Sequence, residues 1–332
     1  VVVARRGTGL AILCAALLAA AVTGIADGSV GFAPRAVLAA LLHPHAGDQL
    51  GAIVWTLRLP RVAIGALVGA ALALAGTLLQ GMLRNPLVDP YLTGGSAGAA
   101  FAIALAISLG APPGLYGGLA FAAALGTTVA VATLARSGRG ISPERLILAG
   151  IAISSLFAGL TTLVIMLVPS PTATLNVLAW LGGSLSGHGW PDLAWAGAYA
   201  GLGALAGAAS VPALNALRLG EARAVSLGVD LERTRWLVLI AASLLTAAAV
   251  SVSGVIGFVG LIVPHIVRAV CGPDLRWTLP ASIPAGAAIV VLADTVARTA
   301  APQYGELPIG VLLSVLGVPA FLYLAFRRWR AA

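Results

Sequence analysis

The sequence predicts an all-α, polytopic membrane protein with ten transmembrane helices. Three observations carry that reading. Of 332 residues, 60% are hydrophobic and only 9% charged, which leaves too little polar surface for a water-soluble fold. Apolar runs of bilayer length recur along the whole chain, about 20 helical residues spanning the roughly 30 Å of a hydrocarbon core. The 19 basic residues are all arginine, and they flank the apolar runs instead of clustering on a polar domain. The sequence pI near 10.7 therefore reports membrane topology, and no nucleic-acid partner is expected.

The runs lie at residues 8–26, 62–83, 92–110, 115–135, 145–168, 193–214, 236–270, 278–300 and 308–326. The first matches the apolar core of a signal peptide in length, but its cleavage pattern is weak and many spans follow, so it reads as a membrane helix. The seventh holds 35 residues, roughly 52 Å as a helix, which is too long for one crossing. It contains Gly254, Gly257, Gly260 and Pro264 and is flanked by arginines at both ends. Two spans with a break near residues 251–257 satisfy both facts and bring the count to ten. With the N-terminus inside, fifteen arginines fall on the cytoplasmic side and only Arg35, Arg58, Arg61 and Arg298 fall outside. The acidic residues divide six to five, so the asymmetry is in arginine, as the positive-inside rule requires. Both termini are then cytoplasmic. No tandem repeat divides the chain, and residues 1–332 form one integral membrane domain. Cys14 reads as a small buried residue and Cys271 as a boundary residue, without disulfide or metal spacing.

Four polar constellations interrupt the apolar pattern. Residues 84–90, RNPLVDP, join two spans with almost no loop. Each proline disfavours helix at the residue before it, so Asn85 and Asp89 are expected to be extended, and Thr93 or Ser96 is available to cap the next helix. A tight interhelical turn explains the same residues. Residues 215–235, NALRLGEARAVSLGVDLERTR, form two short pieces punctuated by Gly220 and Gly228. Their apolar faces are Ala216, Leu217 and Leu219, then Ala224, Val225 and Leu227. That alternation of apolar face and charge fits docking onto another protein as well as it fits a solvated loop. His265, in GLIVPHIVR, has no second ligand at metal spacing and reads as a structural hydrogen-bonded histidine. Asp294 and Arg298 stand four apart on one helical face, and with Glu306, Arg58 and Arg61 they form a charged outer rim. Such a rim is either solvated or a surface that steers a partner.

Several functions are excluded. No lysine occurs in the chain, so it cannot carry a Walker A loop of its own. There is no HExxH, no carboxylate pair at metal spacing and no GxSxG elbow, so neither a catalytic nor a metal site is predicted. An ion-coupled secondary carrier would need a titratable group near the membrane centre. The only candidates are His265 and Asp294, both towards span ends.

RLPR (58–61), Gln80, RNPLVDP, GGSAGA (94–99), LILAGIAI (146–153), WLGGSLSG (180–187), GVIGFVGLIVPHIVR (254–268), LADTVAR (292–298) and ELPIGVLLSVLGVPAF (306–321) occur in the order of the FecCD-type permeases. From about residue 54 onwards the chain closely resembles these membrane subunits of type II ABC importers for iron chelates, haem and cobalamin. The sequence departs from the usual pattern at Ser142-Pro143-Glu144 and Thr93-Gly94-Gly95. The resemblance implies a cobalamin-permease-like fold and a homodimer in the inner (cytoplasmic) membrane of a bacterium. Two cytoplasmic ABC ATPase subunits would bind the ATP and Mg, and a periplasmic or extracellular substrate-binding protein would deliver an iron complex or, alternatively, cobalamin. It implies that Arg58, Arg61 and Arg298 dock the binding protein. Leu219, Gly220, Glu221, Ala224, Leu227 and Gly228, in a coupling loop about 215–230, would meet the ATPase. Asn85, Leu87 and Ser142 would belong to the cytoplasmic gate.

Overall fold

The computed structural model describes residues 2–27, 34–42, 49–137, 140–168, 170–300 and 305–329. Arg139 and Arg330, two of the arginines counted to the cytoplasmic side, lie outside them. The chain is helical almost throughout: α1 (Val2–Ala26), α2 (Pro34–Leu42), α3 (Gln49–Ile53), α4 (Leu59–Leu83), α5 (Gly95–Ser108), α6 (Tyr116–Leu134), α7 (Pro143–Leu167), α8 (Pro171–Gly182), α9 (Trp190–Leu217), α10 (Glu221–Ser226), α11 (Leu231–Ser253), α12 (Val259–Cys271), α13 (Leu275–Thr299) and α14 (Ile309–Trp329). A two-residue antiparallel hairpin, Arg136–Ser137 with Gly140–Ile141, precedes α7.

Among the described residues, seven helical stretches are long and apolar enough to cross a membrane, and three further apolar helices are shorter: Gly95–Ser108, Val259–Cys271 and Ile309–Pro319. The long seventh run breaks where its glycines place it. α11 stops at Gly254, whose φ of 66° favours glycine, and α12 starts five residues later.

The second run differs from expectation. The helix begins well before residue 62 and is continuous from Gln49 to Leu83, so Arg58 and Arg61 lie within a helix instead of ahead of one. Pro60 explains the irregularity at that point. Its missing N–H leaves the Thr56 carbonyl without an α-helical partner, and residues Val54–Arg58 widen into a π turn in which the Leu59 N–H reaches the Val54 carbonyl. Helices α2 and α8, too short to span, lie between the apolar runs. Helix α5 is not capped by Thr93 or Ser96: its N-cap is Gly94, and the Thr93 hydroxyl bonds back to the Pro90 carbonyl at 2.7 Å. The cysteines also reverse their expected places. Cys14 is exposed and Cys271 buried, because α1 packs one face on α13 and α12 and leaves the other uncovered.

Helices α4, α11 and α13 form the centre, with α9 against α11 and α4, α1 along α13, and α5 between α6 and α7. Small residues permit this. Gly69 of α4 abuts Gly286 of α13 backbone to backbone, and Gly76 abuts Gly260 at the start of α12; a methyl group at Gly69, Gly76 or Gly286 would collide with the facing backbone, and one at Gly260 with the Pro90 ring. In a bilayer such close approach takes the place of a hydrophobic driving force between helices. By contrast, α7 and α14 present large apolar side chains outward, among them Leu148, Leu156, Met166, Val315 and Leu316.

Candidate functional site

The charged rim is a single bonded cluster. Arg61 grips Asp294 through Nε and Nη2 at 2.8–3.1 Å and Glu306 through Nη1 and Nη2 at 2.8 and 2.9 Å. Arg298 donates to the same Asp294 at 3.0 Å and to the carbonyls of Asp27 and Gly24. Arg58 donates to the carbonyls of Ile25 and Ala26 at 2.7 Å. Two guanidinium groups thus satisfy the last carbonyls of α1, which have no partner inside that helix. Arg58 and Arg298 are each only 7% exposed, Arg61 14% and Asp294 2%, whereas the Glu306 side chain is 45% exposed. Arg61 thus joins a buried carboxylate to one that is exposed. Ser186 also donates to Glu306, which ties the connection after α8 to the connection entering α14. The Arg61 hydrogen bond, foremost, holds the Glu306 carboxyl below its ordinary 4.5. That bridge therefore stabilises the fold above the ordinary value and is lost as pH falls through the depressed one.

At the other end of α4 the chain turns on Arg84, left-handed with φ 51°. Asn85 Oδ1 accepts the Leu87 N–H at 2.9 Å, Leu87 is half exposed, and Asp89 is extended, as its following proline dictates. Ser142 caps α7. Its hydroxyl accepts the Arg145 N–H and donates to Glu144, and no hydrogen bond among the described residues joins it to Asn85 or Leu87. Behind the turn, Gln80 is buried and donates to the carbonyls of Val88 and Gly260, while its Oε1 accepts from Arg268 at 2.7 Å. The Tyr91 hydroxyl bonds both the carbonyl and the N–H of Ile256 in the α11–α12 break.

Asp89 Oδ1 accepts the Tyr91 N–H at 2.9 Å, and burial pushes its carboxyl from the ordinary 3.8 up to about 6. A carboxyl raised in this way contributes stability that is fully present below the ordinary value and lost as pH rises through about 6. Asp89→Asn is therefore expected to raise the thermal midpoint at neutral pH, by about 1–2 kcal/mol of stability, and to leave it unchanged under acid conditions. Unfolding of the detergent-solubilised chain at both pH values tests this; equal midpoints at neutral pH would refute it.

Between α9 and α11 the polar segment folds as a platform. Leu217 and Ala224 are buried, whereas Leu219, Val225 and Leu227 are more than half exposed. The two expected apolar faces are thus divided between core and surface. Gly220 and Gly228 take positive φ and bound α10. Glu221, its side chain 45% exposed, pairs with Arg235 of α11, whose side chain is 9% exposed. Arg235 is buried and also donates to the Ile141 carbonyl at 3.0 Å, two residues ahead of α7. The pairing of Glu221 with Arg235 and of Ser186 with Glu306 carries no sequence signal, because the partners lie far apart in the chain.

A cavity of about 750 Å³ lies between α5, α7 and α8, lined by small and hydroxyl side chains such as Ala97, Ala100, Ser154, Ser155 and Thr161. A second, of about 500 Å³, reaches from Asp89 and Tyr91 to Phe258, Gly310 and Ser314. His265 is half-buried on α12.

Stacked apolar helices of bilayer length, with their charges gathered at the two ends, define a multi-pass membrane protein. Comparison with known proteins gives the particular family: the chain belongs to the FecCD transport family, whose model matches residues 14–327. It is 43% identical over 279 residues to the cobalamin import system permease protein of Halobacterium salinarum, covering 82% of this chain and 73% of that one. It is 37% identical over 295 residues to the hemin transport system permease protein of Yersinia pestis, and 39% identical over 298 residues to an Fe(3+) dicitrate transport system permease protein of Escherichia coli, with 87% of each chain covered in both cases. Among solved structures, it is similar to a metal-chelate type ABC transporter in an inward-facing conformation, with a TM-score of 0.85 and 31% identity over 96% of this chain and 98% of that one. This is an ABC importer permease.

Proposed function

We propose that this chain forms a homodimer of ten-span subunits, both termini cytoplasmic, in a bacterial inner membrane, and moves an iron complex, a ferric siderophore or haem, handed over by a substrate-binding protein. The ten spans are the seven long helical stretches plus α5, α12 and α14. The arginine asymmetry supports the orientation. The observation that carries the mechanism is the brace from α10 through Arg235 to Ile141. A push on exposed Leu219 and Leu227 by a separate ATPase, which would hold the ATP and Mg, passes through two charged hydrogen bonds to the start of α7. The far side of α7 lines the larger cavity, and the exposed apolar stripes of α7 and α14 are the surfaces for a pathway at the dimer interface. Asn85, Leu87 and Ser142 lie towards its cytoplasmic end. On the outer face, carboxylates of the binding protein compete with Glu306 for Arg61, while Arg58 and Arg298 hold the frame.

The hemin and ferric dicitrate relatives support an iron cargo; the relative at 43% identity favours a second reading, cobalamin. An ion-coupled carrier is disfavoured, because Asp294 is held by two arginines and is not free to exchange ions. The test is uptake of labelled ferric siderophores, haem and cobalamin by cells with and without this chain, partner subunits present. Loss of one iron complex alone is expected. Loss of cobalamin alone would select the second reading, and uptake independent of ATP would overturn the importer.

A further inference from the structure

We propose that the cleft at the ends of α4, α9 and α12 binds the phosphate of an anionic phospholipid. The cleft, of about 320 Å³, is lined by Arg84, Arg218 and Arg268 above Gln80, with Leu275 and Pro273 completing it. Three guanidinium groups from three separate elements converge there, each with donors in the planar fork that suits phosphate oxygens. They are held in different ways. Arg84 sits at the left-handed residue closing α4, Arg218 caps α9, and Arg268 is fixed by its bond to buried Gln80. Arg84 and Arg218 are exposed and have no carboxylate partner among the described residues. The neighbouring carboxylate, Asp274, does not line the cleft. It accepts from Asn215 and from the Arg276 N–H.

The position selects a lipid. The cleft opens where apolar helices end, the depth of a headgroup. The adjoining helix α13, whose Leu275 lines the cleft, carries exposed Ile283 about two turns further along, a surface for an acyl chain. Basic pockets between helices on the cytoplasmic side are the usual form of such sites. Assignment to the cytoplasmic leaflet rests on the orientation proposed above; the site itself does not. Arg84 and Arg268 belong to segments whose other residues shape the gate turn, so a bound lipid would stiffen that turn.

The test is native mass spectrometry of the full chain in mild detergent with an equal mixture of phosphatidylglycerol and phosphatidylcholine. One phosphatidylglycerol is expected to be retained preferentially. Arg84→Gln with Arg218→Gln should lower that preference about thirtyfold, whereas Arg145→Gln, an exposed arginine at the start of α7 outside the cleft, should leave it intact. An unchanged thermal midpoint of the double variant in phosphatidylcholine shows that it folds. Equal retention of both lipids, or a preference that survives the double substitution, would overturn the proposal. Displacement by millimolar inorganic phosphate would also do so, by assigning the cleft to a soluble anion. The assay contains neither ATPase nor binding protein, so its failure leaves the importer reading standing.

Discussion

Arg61→Glu is expected to abolish capture of the substrate-binding protein and to destabilise the permease by about 3–5 kcal/mol, the usual effect of breaking a buried ion pair. Arg61 joins Asp294, only 2% exposed, to Glu306, so the reversal gathers three carboxylates where one guanidinium stood and leaves Arg298 to hold Asp294 by itself. The milder Glu306→Gln separates the two effects. It keeps the Arg61–Asp294 pair, lowers the midpoint only by the modest contribution of the half-exposed Arg61–Glu306 bridge, about 1 kcal/mol or less, and frees Arg61 for a docking carboxylate, so the binding protein should associate more tightly. Thermal unfolding and surface-immobilised binding of the purified partners measure both. Weaker docking in Glu306→Gln would mean that Glu306 contacts the partner directly, and the competition between carboxylates would be wrong.

Gly76→Ala should cost about 3 kcal/mol or more. Its methyl would fall on the Gly260 backbone, which cannot rotate away as a side chain can. One turn on, Gln80 donates to the same Gly260 carbonyl, so separating the helices also strips a bond from a buried amide. Gly81→Ala is the control: its methyl would meet Leu275 at 3.4 Å, an ordinary contact, and should move the midpoint little. A folded, unshifted Gly76→Ala protein would show that the α4–α12 seam is looser than its geometry.

Much of the candidate site could be read along the chain because its signals are local. Pro90 dictates the extended backbone of Asp89 in the turn after α4, Gly220 and Gly228 bound the platform, and Asp294 and Arg298 pair at helical spacing. The packing of the rim arginines could not be read. Arg58 looks like an interfacial charge in sequence, but its guanidinium is turned onto the carbonyls of Ile25 and Ala26, 33 and 32 residues away. The faces of α10 were equally hidden. Ala224 and Val225 are adjacent and both apolar, and only the packing of α10 beside α9 and α11 makes one buried and the other exposed.

By itself the sequence determined the helical membrane class, the break in the seventh run, the arginine asymmetry and the family motifs. All of these follow from composition, local backbone restriction and the cost of placing charge in hydrocarbon, which act within a few residues. The tertiary structure alone decided which arginines cap α1, how Arg235 links α10 to α7, and which three guanidinium groups share a cleft. Those depend on where helices distant in sequence meet, and in a membrane that is settled by backbone approach at small residues and by the pairing of buried polar groups, not by apolar periodicity.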